Sequence, residues 1–338
     1  FGKIKVFDRR LIENWKNELA FKLTEDQNSV LNDILNDLQS SKRMYRLLQG
    51  DVGSGKTVIA ALAMYASILG HYQTAFLVPT EILAYQHYQS LKHYLPASVN
   101  LEVLSSSKSA KEKKDILVRL KRGEIDCLIG THSIIQDEVE FKNVGLVVAD
   151  EQHRFGVKQR RKLSDKGEQV DFLLMSATPI PRTLASVVFG DLDVSTITSY
   201  HASKQEVITQ VIHENTLKPI LKDVLDKIME GQQVYVVCPA IVDNEEKSTR
   251  SVESITAALK KALPDTINIE AMHGKLKSDQ KDKIMQDFID QKIQILVSTT
   301  VIEVGVNVQT ANVMIIYDAD RFGLSQLHQL RGRVGRGQ

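Results

Sequence analysis

The stretch Gly50-Asp51-Val52-Gly53-Ser54-Gly55-Lys56-Thr57 constrains this chain more than any other. It fits the G-x-x-x-x-G-K-[ST] phosphate loop, a motif that works only between a strand and a helix. Arg46-Leu47-Leu48 before it is strand-like, and Val58-Ile59-Ala60-Ala61-Leu62-Ala63 after it is an apolar helical run. The glycines let the backbone curl until successive N–H groups face phosphate oxygens. A helix starting near Lys56 adds the positive end of its dipole. Lys56 then reaches the β- and γ-phosphates, and the Thr57 hydroxyl ligates Mg2+. Gly50, Gly53, Ser54, Gly55, Lys56 and Thr57 are the expected contacts of a nucleoside triphosphate.

Downstream of the loop, strand-like runs alternate with helical ones. Gln73 to Val78, Val99 to Leu104, Asp126 to Gly130, Val144 to Ala149 and Phe172 to Met175 read as strands. Ile82 to Tyr94 and Ile116 to Arg122 read as helices, with Ser105 to Lys114 a Ser/Lys-rich loop. This alternation argues a parallel sheet with crossover helices. The apolar run Val144 to Ala149 delivers Asp150 and Glu151 at its carboxyl end, where open α/β sheets bind ligands. Asp150 suits Mg2+ through its water shell, and Glu151 suits orienting and deprotonating an attacking water. Ser176 and Thr178, after the next strand, can sense the γ-phosphate or simply form an ST-turn.

Polar residues from Ser199 to Glu206 carry no apolar period and mark a domain boundary. A second alternating unit follows, with strands expected at 234–238, 267–272, 293–298 and 313–317. Its helices are expected at 217–229, 252–263 and 279–289, with a polar loop over 243–250. The expected fold is α/β, with two tandem parallel-sheet domains, 1–200 and 201–338, facing each other across a nucleotide cleft. Only the first bears a phosphate loop. In the second, Gln326, Gln329, Arg333 and Arg336 fall at offsets of three, seven and ten and share one face if Leu324 to Arg331 is helical. Arginines from that domain would supply the charge stabilisation that the first one lacks.

Gln27 has two readings. With Thr24 it forms a capping box at the start of a helix bearing Val30, Leu31, Ile34, Leu35 and Leu38. Alternatively its amide, donor and acceptor at once, reads an adenine edge. At 338 residues the chain exceeds one typical core. Its net charge of +1 excludes a global basic field, so nucleic-acid binding must rest on local patches. Cys127 and Cys238 lie far apart, which argues against a zinc site or a disulfide framework and suits a reducing compartment. No apolar run approaches a membrane span. A first residue of Phe1 and a last block ending at Gln338 read as a fragment.

In order, these motifs resemble those of superfamily 2 helicases. The resemblance is carried by the phosphate loop 50–57, Pro79-Thr80-Glu81, Gly130-Thr131-His132, Asp150-Glu151-Gln152-His153 and Ser176-Ala177-Thr178-Pro179. It continues through His273-Gly274, Ser298 to Asn307 and Phe322 to Arg336, and so covers residues from about 21 to 338. Within the superfamily the chain looks like the RecG-type bacterial DNA translocases. That resemblance implies two RecA-like domains with an ATP cleft between them, and ATP with Mg2+ as cofactors. It implies Asp150 and Thr57 as Mg2+ ligands, Glu151 as catalytic base, and Lys56, Gln329, Arg333 and Arg336 as the remaining catalytic groups. Gln27 would read adenine, with Phe21 supporting the base, and His153 and Arg154 would couple the site to DNA.

The partner implied is forked or branched duplex DNA, held mainly by its backbone at Pro79-Thr80, Gly130-Thr131 and Thr299-Thr300. The motor would be monomeric and cytoplasmic in a bacterium, and would act in fork remodelling, recombination and repair. Residues 199–206 lack the Pro-Gly-Arg turn of the RecG type, and neither its wedge domain nor its C-terminal hairpin is expected here. A transcription–repair coupling (Mfd-like) motor is the alternative within the superfamily, with an RNA helicase further off. A non-hydrolysing ATP-gated clamp is the alternative outside catalysis.

Overall fold

Apolar runs bounded by glycines and polar turns become the strands of two parallel sheets. In this computed structural model the described residues are 2–150, 169–177, 192–198, 207–212, 217–239, 245–299, 306 and 308–334. The chain divides into two units, Phe1–His201 and Ala202–Gln338. In the first, α1 (Arg9–Glu18) and α2 (Glu25–Leu38) precede β1 (Tyr45–Gly50), α3 (Lys56–Leu69), β2 (Gln73–Leu77) and α4 (Glu81–Tyr94). Then come β3 (Leu101–Leu104), α5 (Ala110–Arg122), β4 (Cys127–Gly130), β5 (Val144–Asp150), β6 (Asp171–Ser176) and β7 (Asp193–Ile197). Among the described residues the sheet order is β3-β4-β2-β5-β6-β1-β7, with every pairing parallel.

Helices cover the sheet, so β2, β4 and β6 are buried along their whole length and read as nearly continuous apolar runs. Helix α3 is apolar on most of its surface for the same reason, with Val58 through Met64 all buried. In this unit two segments differ from the sequence expectation. Helix α5 begins at Ala110, inside the Ser/Lys-rich stretch, because Ser109 and Glu112 close a capping box there. Strand β7 pairs alongside β1 where no strand was expected, since its pattern is short and half polar.

The second unit contains α6 (Leu217–Met229), β8 (Gln233–Cys238), α7 (Glu245–Ala262), β9 (Ile269–Met272), α8 (Ser278–Ile289), β10 (Ile295–Thr299), β11 (Ala311–Ile316) and α9 (Leu324–Arg331). Its described strands are ordered β11-β8-β10-β9, again parallel. Helix α7 starts at Glu245, within the stretch expected as a polar loop. Both units solve one problem alike. Gln73, opening β2, donates to the carbonyls of Leu120 and Ile125 (2.9 and 2.8 Å), and Gln233, opening β8, donates to those of Phe288 and Ile293 (both 2.6 Å). Each buried amide ties a carbonyl in the last turn of a helix to one just ahead of the next strand.

Burial pushes the thiols of Cys127 and Cys238 up to about 12, which leaves both as inert core residues. Among the described residues no cluster of three metal-ligating side chains occurs, and no helix is long and apolar enough to cross a membrane.

Among the described residues one ion pair is fully buried. The Lys5 ammonium pairs with the Asp171 carboxylate at the start of β6, and Asp171 also accepts from the Met44 N–H at 2.7 Å. Burial raises the Asp171 pKa, while Lys5 beside it pulls the other way. Lys5→Ala strands a buried carboxylate and is expected to cost about 3–5 kcal/mol in urea unfolding. The double substitution Lys5→Met/Asp171→Leu, which removes both charges, is expected to cost clearly less than the two single losses added. Strict additivity would show that the two groups do not interact.

Candidate nucleotide site

Strand β1 ends at Gly50 and α3 begins at Lys56, so five residues make the whole turn. Two of them are left-handed: Gly53 at φ 82° and Gly55 at φ 88°. Any side chain strains such a backbone. At Gly53 a Cβ would meet open space, but at Gly55 it would overlap the Gln27 side chain. That glycine is required twice over. Gly50 is also crowded, since a Cβ there would lie 2.5 Å from Ser54 Oγ and 3.1 Å from the Ile197 carbonyl. Among the described residues no side chain caps α3, so the first turn of the helix suits an external anion.

Two further observations fit a phosphate. The Ser54 hydroxyl is buried (1% exposed) and has no hydrogen-bond partner among the described residues. The Lys56 ammonium is folded onto its own loop, donating to the carbonyls of Gly50 at 2.5 Å and Asp51 at 3.0 Å. A phosphate bound in this turn would compete with those two bonds for the ammonium. Lys56 and Thr57 are the first two residues of α3.

Asp150, the last residue of β5, is in register with Met175 of β6, which itself pairs with Leu48 of β1. Two strand spacings therefore separate Asp150 from the root of the phosphate loop, about 10 Å. A carboxylate at that distance suits Mg2+ held jointly by water and by phosphate oxygens. Asp150 Oδ2 accepts from His87 Nε2 of α4 at 2.8 Å, and both side chains are largely buried. The sequence reading passed over His87. Its signal was there: an imidazole on the inner face of α4, between buried Ala84 and Leu91.

Gln27 forms the capping box, with its Oε1 accepting from the Thr24 N–H (2.9 Å) and its own N–H bonding the Thr24 hydroxyl (3.2 Å). Its Nε2 donates to the Ser54 carbonyl at 2.8 Å, so both ends of the amide are engaged and the side chain ties α2 to the phosphate loop. Phe21 packs edge-on against Tyr94, at the far end of α4, with ring centroids 6.1 Å apart. Gln329 lies in α9, and Arg333 lies past its end, where its guanidinium donates to the Val306 carbonyl at 3.4 Å. Gln326 accepts from the Gly323 N–H at 3.0 Å and so serves the start of its own helix. Glu151, His153, Arg154, Thr178, Thr300 and Arg336 lie outside the described residues.

Two family models match the chain in tandem: DEAD/DEAH box helicase over residues 24–187 and helicase conserved C-terminal domain over 204–338. The ATP-dependent DNA helicase RecG of Streptococcus pneumoniae is 50% identical over 335 residues, which cover 97% of this chain and 50% of the relative. That of Bacillus subtilis is 51% identical over 333 residues, covering 98% and 49%. The chain thus spans about half the length of the curated relatives it matches. A solved structure of RecG bound to a three-way DNA junction superposes with a TM-score of 0.86 at 43% identity, covering 99% of this chain and 44% of that one. The DEAD-box helicase Mss116, bound to ssRNA and UDP-BeF, superposes at 0.67 with 18% identity over 98% of this chain and 70% of its own, a likeness of fold alone.

The two left-handed glycines make different demands, and substitution separates them. Gly53→Ala is expected to lose about 1–2 kcal/mol in urea unfolding from backbone strain. Gly55→Ala should lose about 1–3 kcal/mol more, because Gln27 must give up a buried hydrogen bond. Adding Gln27→Ala to Gly55→Ala should then cost less than it does in the parent. Equal losses at the two glycines would contradict this account of Gln27.

Proposed function

The chain belongs to the RecG family of helicases, and on that premise we propose that it is the ATP-driven motor portion of a DNA translocase. Its action would be on forked or branched duplex DNA, in fork remodelling, recombination and repair. One observation carries the nucleotide half of this reading. A left-handed loop, an uncapped helix start and a buried Ser54 hydroxyl with no partner among the described residues meet in one turn, where the Lys56 ammonium bonds the Gly50 and Asp51 carbonyls.

In this proposal Lys56 leaves the Gly50 and Asp51 carbonyls for the β- and γ-phosphates of ATP. Thr57 and Asp150 hold Mg2+, which when bound neutralises charge on the transferring phosphate. Glu151, next along from Asp150, takes the proton of the attacking water, and Gln329, Arg333 and Arg336 are the groups the second unit contributes to hydrolysis. Gln27 would read adenine with the N–H and the oxygen lone pair that its bonds to Ser54 and Thr24 leave over, with Phe21 nearby in sequence supporting the base. His153 and Arg154 relay the nucleotide state to the DNA.

DNA would be held by the polar turns after β2, β4 and β10, at Pro79-Thr80, Gly130-Thr131 and Thr299-Thr300. Such contacts reach the phosphate backbone and carry no sequence preference. The motor would work as a monomer. The identity to RecG relatives supports this reading over a coupling motor, and the catalytic set argues against a clamp that never turns over.

Steady-state ATP hydrolysis, with and without excess forked duplex, tests the proposal. Hydrolysis raised severalfold by DNA is expected. Glu151→Gln should bind ATP like the parent while its kcat falls by about 10²-fold or more. Turnover near that of the parent would remove Glu151 from the base role, and ATP binding with no hydrolysis in the parent would favour the clamp. DNA affinity should also fall linearly on a log–log plot against salt, with the same slope for unrelated sequences. A slope that depends on sequence would contradict backbone recognition.

A further inference from the structure

His87 sits where the two halves of the proposed function meet. Helix α4 is capped by Thr80, a residue of the turn assigned to DNA contact, whose hydroxyl accepts from the Leu83 N–H at 3.3 Å. Seven residues on, two helical turns, His87 shares the face of Thr80 and Ala84. That face lies on the sheet. The imidazole packs against the Phe76 ring of β2 with centroids 4.7 Å apart. Phe76 is in register with Val148 of β5, and Asp150 lies two residues beyond Val148, on the same side of the sheet. His87 thus crosses from β2 to the end of β5 and reaches the Asp150 carboxylate at 2.8 Å. An ionised carboxylate can only accept, so Nε2 carries the hydrogen whichever charge the ring has.

We propose that His87 is a positioning residue that ties the DNA-contacting start of α4 to the Mg2+-holding Asp150. With Oδ2 held by the imidazole, the carboxylate cannot rotate freely, and its other oxygen has a defined direction in which to meet the ion or its water shell. A shift of α4 on the DNA backbone moves the imidazole, and with it the carboxylate. Phe76 holds the ring in the plane that makes this possible. This rests on the reading of Asp150 as the magnesium ligand and of Pro79-Thr80 as a DNA contact.

The test separates hydrogen bond from packing. His87→Gln keeps a donor but loses the ring, and His87→Phe keeps the ring on Phe76 but loses the donor. Two readouts are made on each, after circular dichroism has shown the fold intact: affinity for a fluorescent ADP analogue with Mg2+ and with EDTA, and the Mg2+ concentration giving half-maximal hydrolysis with and without forked DNA. For His87→Phe the EDTA affinity should match the parent, while the affinity gain from Mg2+ falls about tenfold. Its DNA stimulation should fall toward none although DNA still binds. His87→Gln should recover most of both. Mg2+ dependence that follows the ring, intact in Phe and lost in Gln, would overturn the proposal, as would parental behaviour in both. Should the parent itself show no DNA stimulation, the motor reading fails, while the Mg2+-dependent nucleotide affinities still decide the positioning role.

Discussion

The phosphate loop stands on the absence of one methyl group. Because Gly55 has no Cβ, the buried Gln27 amide can lie against it and donate to the Ser54 carbonyl. That bond pins the loop to α2, whose own start the same side chain caps. The left-handed turn then leaves the Ser54 hydroxyl buried and turns the chain into α3 with its first N–H groups uncapped. A buried donor without a partner costs free energy, about 1–3 kcal/mol. A phosphate that accepts from that hydroxyl would recover it. The Lys56 ammonium meanwhile bonds two loop carbonyls, and a nucleotide would have to compete with those bonds.

Sheet order distributes the rest. With β3-β4-β2-β5-β6-β1-β7, the carboxyl ends of β1, β6 and β5 carry the phosphate loop, Ser176 and Asp150 side by side. The carboxyl ends of β2, β4 and β3 carry the polar turns at Thr80, Thr131 and Ser105. Under the proposed function this end of the sheet would offer a nucleotide half and a nucleic-acid half, with the border between β5 and β2. The hydrogen bond from His87 to Asp150 spans that border. On the far half, Glu81 accepts from the Ser106 hydroxyl at 2.9 Å and Tyr85 shares a hydrogen bond with Ser105 at 3.0 Å. Helix α4 is therefore bonded to the loop after β3 as well as to the end of β5.

Much of this was legible in the chain because period and motif act locally. The alternation of apolar strands and helices marked the parallel sheets, and glycine spacing marked the loop, since left-handed backbone has few other tenants. Asp150 was placed by the apolar run that carries it. Most of what escaped depended on partners distant in sequence. His87 looks like any helix residue until β2 and β5 are laid beside each other. Gln27 offered a capping role and a binding role, and only the fold brings Ser54 within its reach. Strand β7, short and half polar, is defined by its pairing with β1 rather than by its own pattern. Helix α5 was shortened in the reading because its lysines and serines suggested a loop, although Ser109 and Glu112 spelled a capping box.

A crystal structure of this chain with a non-hydrolysable ATP analogue and Mg2+ tests the central claim most directly. The account predicts phosphates in the turn between β1 and α3, with the Ser54 hydroxyl and the α3 amides bonded to them. Lys56 is predicted to have left the Gly50 and Asp51 carbonyls, and the ion to lie between Thr57 and an Asp150 still held by His87. A nucleotide bound elsewhere, or one bound here with Lys56 still on those carbonyls, would contradict it.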